Sequence, residues 1–217
     1  LDPIGQHTNP LCNLAIQSHR ALAIMEPIAE RDDAQRTLRL DQPLQPRVVS
    51  VFDGIARPTA IAVQFRYAFI TSETGLQTID ITDPAKPRIA ATVPIEDARN
   101  VYVARTYAYV AGGREGLIIV DVENPEKPFI DQVFHDDLHD VNDVKVASTN
   151  ASAFAYVADG EHGLKVLQLT SPDWTPGYAG FSPRPVPRLI AKRHTHGPAL
   201  AISKGLDRDR AVDESGN

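Results

Sequence analysis

The chain has 217 residues, of which 42% are hydrophobic and 23% are charged, and its formal net charge is -6. A mildly acidic chain of this kind argues against a nucleic-acid-binding protein and against a basic protein of membrane surfaces. No run of about 18 apolar residues is present, so no transmembrane helix is expected. Cys12 is the only cysteine, which excludes an internal disulfide framework and a four-thiolate zinc site, and the absence of a Cys-x-x-Cys-His motif excludes c-type covalent attachment of haem. Because the chain begins at Leu1 and shows no signal peptide, we expect a processed or truncated polypeptide.

The first 35 residues predict a helical cap packed on the rest of the chain, or a helical arm that reaches another subunit. Asn9 suits the N-cap of such a helix, Pro10 its first position, and Pro27 its end or a kink. A second short helix would cover 28–35. The apolar residues that would share one face of the first helix are Leu11, Leu14, Ala15, Leu22 and Met25.

Three segments downstream repeat the same series of features, which makes an internal repeat the main signal of the sequence. Each has a run such as Tyr67-Ala-Phe-Ile, then a Gly-Leu pair, a second β-rich run and a turn that contains proline. The Gly-Leu pairs begin at Gly75, Gly116 and Gly163, at intervals of 41 and 47 residues. Asp80 and Asp121 end the second run in the first two segments, and we interpret them as turn-forming rather than catalytic residues.

Short runs rich in Val, Ile, Tyr and Ala, separated by Gly, Pro, Asn and Asp, are typical of strands joined by tight turns. Four such strands in about 40 residues predict one blade of a β-propeller. We therefore predict an all-β fold in which 36–217 is a propeller segment. It would consist of a half-blade at 36–52, whole blades at 55–95, 98–134 and 140–193, and a half-blade at 197–217 whose inner strand lies over 197–202.

The third strand of the second whole blade reads Leu117-Ile-Ile-Val-Asp121, and together with the other spaced features it resembles the LVIVD-repeat family. The resemblance extends over 38–216, although Gln168 stands where the repeat has aspartate. It implies a β-propeller of an extracellular or cell-surface protein, with the periplasm as a further location. It implies no catalytic machinery, so no catalytic residue is carried over.

Two arrangements would complete the ring of blades. In the preferred one, the chain is part of a larger propeller whose other blades are missing or are supplied by another chain. In the alternative, strands from 38–52 and 199–212 form one composite blade and close a ring of four blades, which is the lower limit for propellers.

Histidine and carboxylate side chains are concentrated in loops that a propeller places on one face. The loop that enters a blade shares a face with the turns between second and third strands, so 135–140 and 159–162 should lie on the same face. Imidazole and carboxylate groups are ligands of divalent metals. The predicted metal ligands are His135, His139, Asp140 and His162, and a solvated polar loop without a metal is the alternative.

Two further groups of residues predict contacts with a partner. His194 and His196 point the same way if the chain is extended, so they could bind a metal jointly or serve as axial ligands of a haem that a partner cytochrome carries. Trp174, Tyr178 and Phe181 lie in a proline-rich insertion of the last whole blade, and aromatic side chains of this kind often form interfaces. The alternative is that Trp174 packs on its own blade.

Together these features predict a non-enzymatic scaffold that binds or assembles protein chains at the cell surface, either the rest of the propeller or other partners. The alternative is an accessory subunit of an extracellular electron-transfer assembly with a multihaem cytochrome. A hydrolase that uses the histidine and acidic cluster is the least favoured class, because no nucleophile is identifiable and no Gly-x-Ser-x-Gly motif is present. No cofactor is assigned from the sequence; the two candidates are a divalent metal and a haem borne by the partner.

Overall fold

The computed structural model describes residues 13–17, 20–24, 35–39, 47–149 and 151–203, and the regular structure of this part is entirely β. Within it, no helix could span a membrane. Blade 1 contains β1 (Asn13–Gln17), β2 (Arg20–Ile24), β3 (Gln35–Arg39) and β4 (Arg47–Phe52), and blade 2 contains β5 (Ala60–Gln64), β6 (Tyr67–Ser72), β7 (Gly75–Asp80) and β8 (Arg88–Val93). Blade 3 contains β9 (Asn100–Ala104), β10 (Tyr107–Ala111), β11 (Leu117–Asp121) and β12 (Phe129–Phe134), and blade 4 contains β13 (Asp143–Ser148), β14 (Ala153–Ala158), β15 (Leu164–Gln168) and β16 (Arg188–Arg193).

Each blade is an antiparallel sheet whose strands follow chain order, so neighbouring strands are joined by simple turns. The first strands of successive blades lie next to one another, β1 beside β5, β5 beside β9, and β9 beside β13. Sheets that contact through their first strands in this order are the blades of a β-propeller. The predicted all-β propeller architecture is therefore confirmed, and blades 2, 3 and 4 lie within the ranges predicted for the three whole blades.

The helix predicted in the first 35 residues is wrong for the part of that segment that the structure describes. Asn13–Gln17 and Arg20–Ile24 are antiparallel strands, and β2 pairs in turn with β3. The polar pair Ser18-His19 divides the apolar run into two pieces of five residues, and two short runs joined by two residues are typical of a β-hairpin. The other residues of the predicted helices lie outside the described residues, apart from Gln35, which begins β3.

The same hairpin corrects two other expectations. The half-blade at 36–52 is the outer part of a complete sheet, because β3 has β2 as its inner neighbour. The composite blade of 38–52 and 199–212 is wrong for the same reason. In the final half-blade, 197–203 contains no regular strand but only an isolated bridge between Ala199 and Gly160, and 204–217 lies outside the described residues.

The interior of the propeller lies between the sheets, and it buries both faces of the middle strands. Every residue of β6 and of β10 is buried. Phe69 belongs to the cluster between blades 2 and 3, whereas the next residue, Ile70, belongs to the cluster between blades 1 and 2. A strand that is covered on both faces needs no polar side, which explains why these runs are continuously apolar rather than alternating.

A turn built by aspartate follows the third strand in blades 2 and 3. Asp80 Oδ1 accepts hydrogen bonds from the backbone N–H and the hydroxyl of Thr82 at 2.9 and 2.6 Å, and Asp121 Oδ1 accepts one from the N–H of Glu123 at 2.9 Å. The interpretation of these aspartates as turn-forming residues is confirmed. In blade 4 the side-chain amide of Gln168 instead donates to Ser152 Oγ at 3.0 Å.

Side-chain hydrogen bonds connect each blade to the next at the proline-containing segment before the fourth strand. In each case a polar side chain donates to a proline carbonyl of the following blade, which spares that carbonyl from burial without a partner. The pairs are Ser50 with Pro84 at 2.6 Å, Thr78 with Pro125 at 2.7 Å, and Gln132 with Pro185 at 2.8 Å.

The glycine of each Gly-Leu pair allows the start of the third strand to approach the end of the fourth. Gly116 has φ +91, and a Cβ atom there would lie 2.4 Å from the carbonyl oxygen of Phe134. Gly75 and Gly163 also have positive φ, and a Cβ atom at either would lie 2.2 Å from a carbonyl oxygen, that of Val93 or Arg193. Only glycine fits such a position without movement of the backbone.

We expect Gly116→Ala to lower the free energy of unfolding by at least about 2 kcal/mol, because it combines a disfavoured φ with a clash against backbone. Gly197→Ala is the matched control, since a Cβ atom there meets nothing within 4 Å and its φ is not positive. Urea unfolding of both variants measures the difference. Equal stability of the two variants would show that the close approach is not required.

We expect Asp80→Asn to reduce the dependence of stability on pH in acid. Hydrogen bonds from Thr82, and then the Arg88 guanidinium, hold the pKa of the Asp80 carboxyl below its ordinary value. The lowered pKa stabilises the fold above the unfolded-state value of about 3.9, and this contribution is lost as the pH falls further. The variant should therefore be less stable than the wild type at pH 7, with the difference shrinking below about pH 4. Urea unfolding across this pH range measures the difference in stability, with the exposed Asp53→Asn as the control. A difference between Asp80→Asn and the wild type that stayed constant across the range would contradict the expectation.

Candidate functional site

The loop from β12 to β13 and the turn from β14 to β15 meet at one end of the blades, which we call the histidine face (residues 135–142 and 159–163). Asp159 joins them. Its carboxylate is fully buried, and Oδ1 accepts hydrogen bonds from the backbone N–H groups of His139 at 2.8 Å and Asp140 at 2.7 Å. The turn itself is closed by the N–H of His162, which donates to the carbonyl oxygen of Asp159 at 2.8 Å.

This arrangement brings two imidazoles to the buried carboxylate. The rings of His139 and His162 are stacked, with centroids 4.1 Å apart and planes inclined by 17°. His139 Nδ1 lies 3.6 Å from Asp159 Oδ2. One ring nitrogen of each histidine and one carboxylate oxygen of Asp159 lie within 4.8 Å of one another. We call these three residues the His139–Asp159–His162 cluster.

A buried lysine lies beside the cluster. Lys165 Nζ is 3.8 Å from Asp159 Oδ2, too far for a hydrogen bond, and it donates to Asp137 Oδ2 at 3.0 Å. Lys192 Nζ donates to the same oxygen of Asp137 at 3.2 Å. These two hydrogen bonds lower the pKa of Asp137 to about 2, Lys165 having the larger effect. Asp137 is therefore ionised at neutral pH and balances the charge of Lys165.

The four residues predicted as metal ligands are only partly brought together. His139 and His162 are in the cluster, but His135 is exposed and is not one of its members. Asp140 instead accepts a hydrogen bond from Arg99 Nη1 at 2.6 Å, and this bond, followed by one from Asn142, lowers the pKa of its carboxyl. Asp140 thus ties blade 4 to the loop before blade 3.

Asp159 is the functional residue that sequence reasoning did not select as a ligand. The signal lies in the repeat, because the positions that correspond to Asp159 at the same intervals of 47 and 41 residues are Gly112 and Thr71. An aspartate therefore stands at the end of this buried strand where blades 3 and 2 have a glycine and a threonine. Comparison of the units with one another could therefore have selected it.

The residues predicted to contact a partner lie in two places. His194 and His196 are exposed in the segment after β16, and their assignment to a metal or to a partner-borne haem stays a prediction. Trp174 packs under the Arg188 guanidinium, whose carbon is 4.1 Å from the ring centroid, and the Tyr178 hydroxyl donates to the carbonyl oxygen of Ala151 at 2.6 Å. Both contacts lie within blade 4. Phe181 differs from them, because its side chain is 80% exposed.

A groove of about 690 Å³ lies between the turns of blades 2 and 3 and the insertion of blade 4, and we call it the aromatic groove. The two-residue turns from β5 to β6 and from β9 to β10 form two of its walls, and Phe181 of the insertion lies across from them. The insertion reaches blade 3 through a hydrogen bond of 2.6 Å between the hydroxyls of Thr106 and Ser182. The aromatic and charged side chains that line the groove include Phe65, Arg66, Tyr67, Arg105, Glu123 and Phe181.

The first residue of each of these turns adopts the left-handed conformation, with φ 54 at Phe65 and φ 56 at Arg105. Turns of this kind favour glycine or asparagine at such positions. Phe65 is also 78% exposed, so a large apolar side chain is held out in solvent. The Arg105 guanidinium carbon lies 6.0 Å from the centroid of the Phe181 ring, which places a cation beside the second exposed aromatic side chain.

The LVIVD repeat model matches residues 55–93 and 96–133, which contain blades 2 and 3. The chain carries LVIVD repeats. The predicted resemblance to LVIVD-repeat propellers is thereby confirmed, and no curated protein matches the LVIVD chain significantly.

Solved structures similar to the LVIVD chain share its fold at low sequence identity. A functionally unknown protein from Desulfotomaculum acetoxidans DSM 771 is 12% identical with a TM-score of 0.64, over 86% of this chain and 57% of that one. The Cps50 (Swd1) β-propeller domain of Myceliophteria thermophila is 9% identical with a TM-score of 0.61, over 84% and 59%. A chain of a nidogen/laminin complex is 13% identical with a TM-score of 0.53, over 84% and 63%. The LVIVD chain thus spans less than two thirds of each of these chains.

Proposed function

We propose that the LVIVD propeller is a binding module for another protein, without an enzymatic reaction of its own, and that it holds its partner in the aromatic groove. The observation that carries this proposal is the exposure of the Phe65 side chain together with its backbone conformation. Its side chain is 78% exposed and its backbone is left-handed, and each of these features costs free energy in the isolated chain. A contact that buries the ring would offset both costs.

The alternative is that Phe65 is an incidental surface residue. Single exposed apolar side chains are common and by themselves need no explanation. Phe65 is not single, however, because it shares one groove with Phe181, which is 80% exposed. Left-handed φ is also a true outlier for a bulky side chain, whereas it is common for asparagine or glycine. The coincidence of these features in one groove favours a binding role.

The chemistry of the groove indicates what the partner presents. Two exposed rings provide apolar contact area, and Arg66 and Arg105 place two cations at its edge, against the one carboxylate of Glu123. Aromatic side chains and arginine are the residue types that dominate protein interfaces. We therefore expect a partner segment with apolar side chains that enter the groove and at least one carboxylate that reaches an arginine.

Assembly at the cell surface is part of the proposal. A chain of similar fold comes from a nidogen/laminin complex, so the scaffold is compatible with a role in protein association. The surface location is the one that the resemblance to LVIVD-repeat proteins implies, and exposure to added protease on intact cells would test it separately from the groove.

The first prediction from the groove concerns stability. Because asparagine tolerates the left-handed conformation, we expect Phe65→Asn to leave the free energy of unfolding unchanged or to raise it by up to about 1 kcal/mol. Urea unfolding measures this change. A clear loss of stability would mean that the ring is required by the fold, which would remove the main support for a binding role.

The second prediction concerns binding. Random peptides displayed on phage and selected on the wild-type protein should bind Phe65→Asn and Phe181→Ala at least about tenfold more weakly. Phe129→Ala is the matched control, since Phe129 is 56% exposed on the outer strand of blade 3 and does not line the groove. Selected peptides that bind all three variants as tightly as the wild type would contradict the proposal.

A further inference from the structure

We propose that the His139–Asp159–His162 cluster on the histidine face is a binding site for a divalent transition-metal ion of the zinc class. This site is separate from the protein-binding function proposed for the aromatic groove. Two imidazoles and one carboxylate are a donor set that zinc accepts, and they would leave a further coordination position for water or for a side chain of another molecule.

The distances within the cluster allow one ion to reach all three groups. The three ligand atoms lie within 4.8 Å of one another, whereas ligands of a tetrahedral zinc ion are separated by roughly 3.3 Å. The two histidine side chains can move to shorten these distances, because His139 is 48% exposed and His162 is also partly open to solvent. Asp159 is fixed by its two backbone hydrogen bonds and provides the rigid side of the site.

An independent observation at Asp159 points to a ligand. Its Oδ1 accepts two hydrogen bonds, but its Oδ2 is buried and accepts none. A buried carboxylate oxygen without a hydrogen-bond partner is costly, and such atoms are uncommon in folded proteins. This same oxygen faces His139 Nδ1 at 3.6 Å. A cation bound between the carboxylate and the ring nitrogens would satisfy it.

The competing explanation is that Lys165 alone stabilises Asp159. Lys165 Nζ is 3.8 Å from Oδ2 and makes its hydrogen bond to Asp137 at 3.0 Å instead. The charges of Asp137 and Asp159 balance those of Lys165 and Lys192, so a bound ion would not enter a positively charged site. Lys165 therefore lowers the affinity of the site for a cation, but it leaves Asp159 Oδ2 without a hydrogen-bond donor.

The experiment is a titration of the tag-free protein with Zn²⁺ in competition with a chromophoric chelator. We expect the wild type to bind one zinc ion in about the micromolar range or tighter. His139→Gln and His162→Gln should each weaken binding by about 100-fold or more. His135→Gln and Asp140→Asn, which change the same loop outside the cluster, are the matched controls and should stay within about twofold of the wild type.

X-ray absorption at the zinc edge gives a second readout that does not depend on affinity. It should show two imidazole nitrogens at about 2.0–2.1 Å together with oxygen ligands. The histidine variants carry the test, because Asp159→Asn would also disturb the two backbone hydrogen bonds that hold the loop.

Three results would overturn the assignment. They are the failure of the wild type to bind zinc at a ratio of one to one, tight binding by both cluster variants, and an equal loss of affinity in His135→Gln. The groove variant Phe65→Asn should bind zinc as the wild type does, so failure of the metal site and failure of the protein-binding proposal are distinguishable.

Discussion

The need to cover both faces of each sheet is the constraint on which the rest of this fold depends. Phe69 and Ile70 are successive residues of β6, both 1% exposed, and they pack into clusters on opposite sides of blade 2. A sheet with apolar side chains on both faces is stable only between two neighbours. Each blade therefore stabilises the next by covering one of its two apolar faces.

Blade 4 shows this constraint at a boundary. Val157 and Leu167 are fully buried against blade 3, whereas Tyr156 and Val166, on the opposite face, are only half-buried. The bridge between Gly160 and Ala199 repeats the bridge that Gly113 makes to the segment entering blade 4. The segment after β16 therefore contacts the turn of blade 4 in the same way as the segment before β13 contacts the turn of blade 3.

The repeat made blades 2 to 4 predictable, since glycines and prolines at fixed intervals mark the same turns in each unit. The first blade was not predictable in the same way, because Leu14 and Leu22 satisfy the spacing of a helix as well as that of two short strands. Only the pairing of β2 with β3 decides between them. At the histidine face the meeting of the two loops follows from the blade order, but the choice of ligands does not. Asp140 accepts a hydrogen bond from Arg99, and Asp159 is the carboxylate that lies close to the two imidazoles.

The two candidate sites lie at opposite ends of the blades and depart from the repeat in different ways. Asp159 introduces a buried carboxylate where blades 3 and 2 have Gly112 and Thr71. The left-handed backbone of Phe65 is shared by Arg105 of blade 3, so what sets Phe65 apart is its exposed aromatic ring. Neither residue is required by the packing of the sheets. A repeat protein offers an internal reference for such judgements, because the remaining units show what the fold alone needs at a given position. Residues that cost stability and also depart from that reference are the ones for which a ligand is the simplest physical explanation.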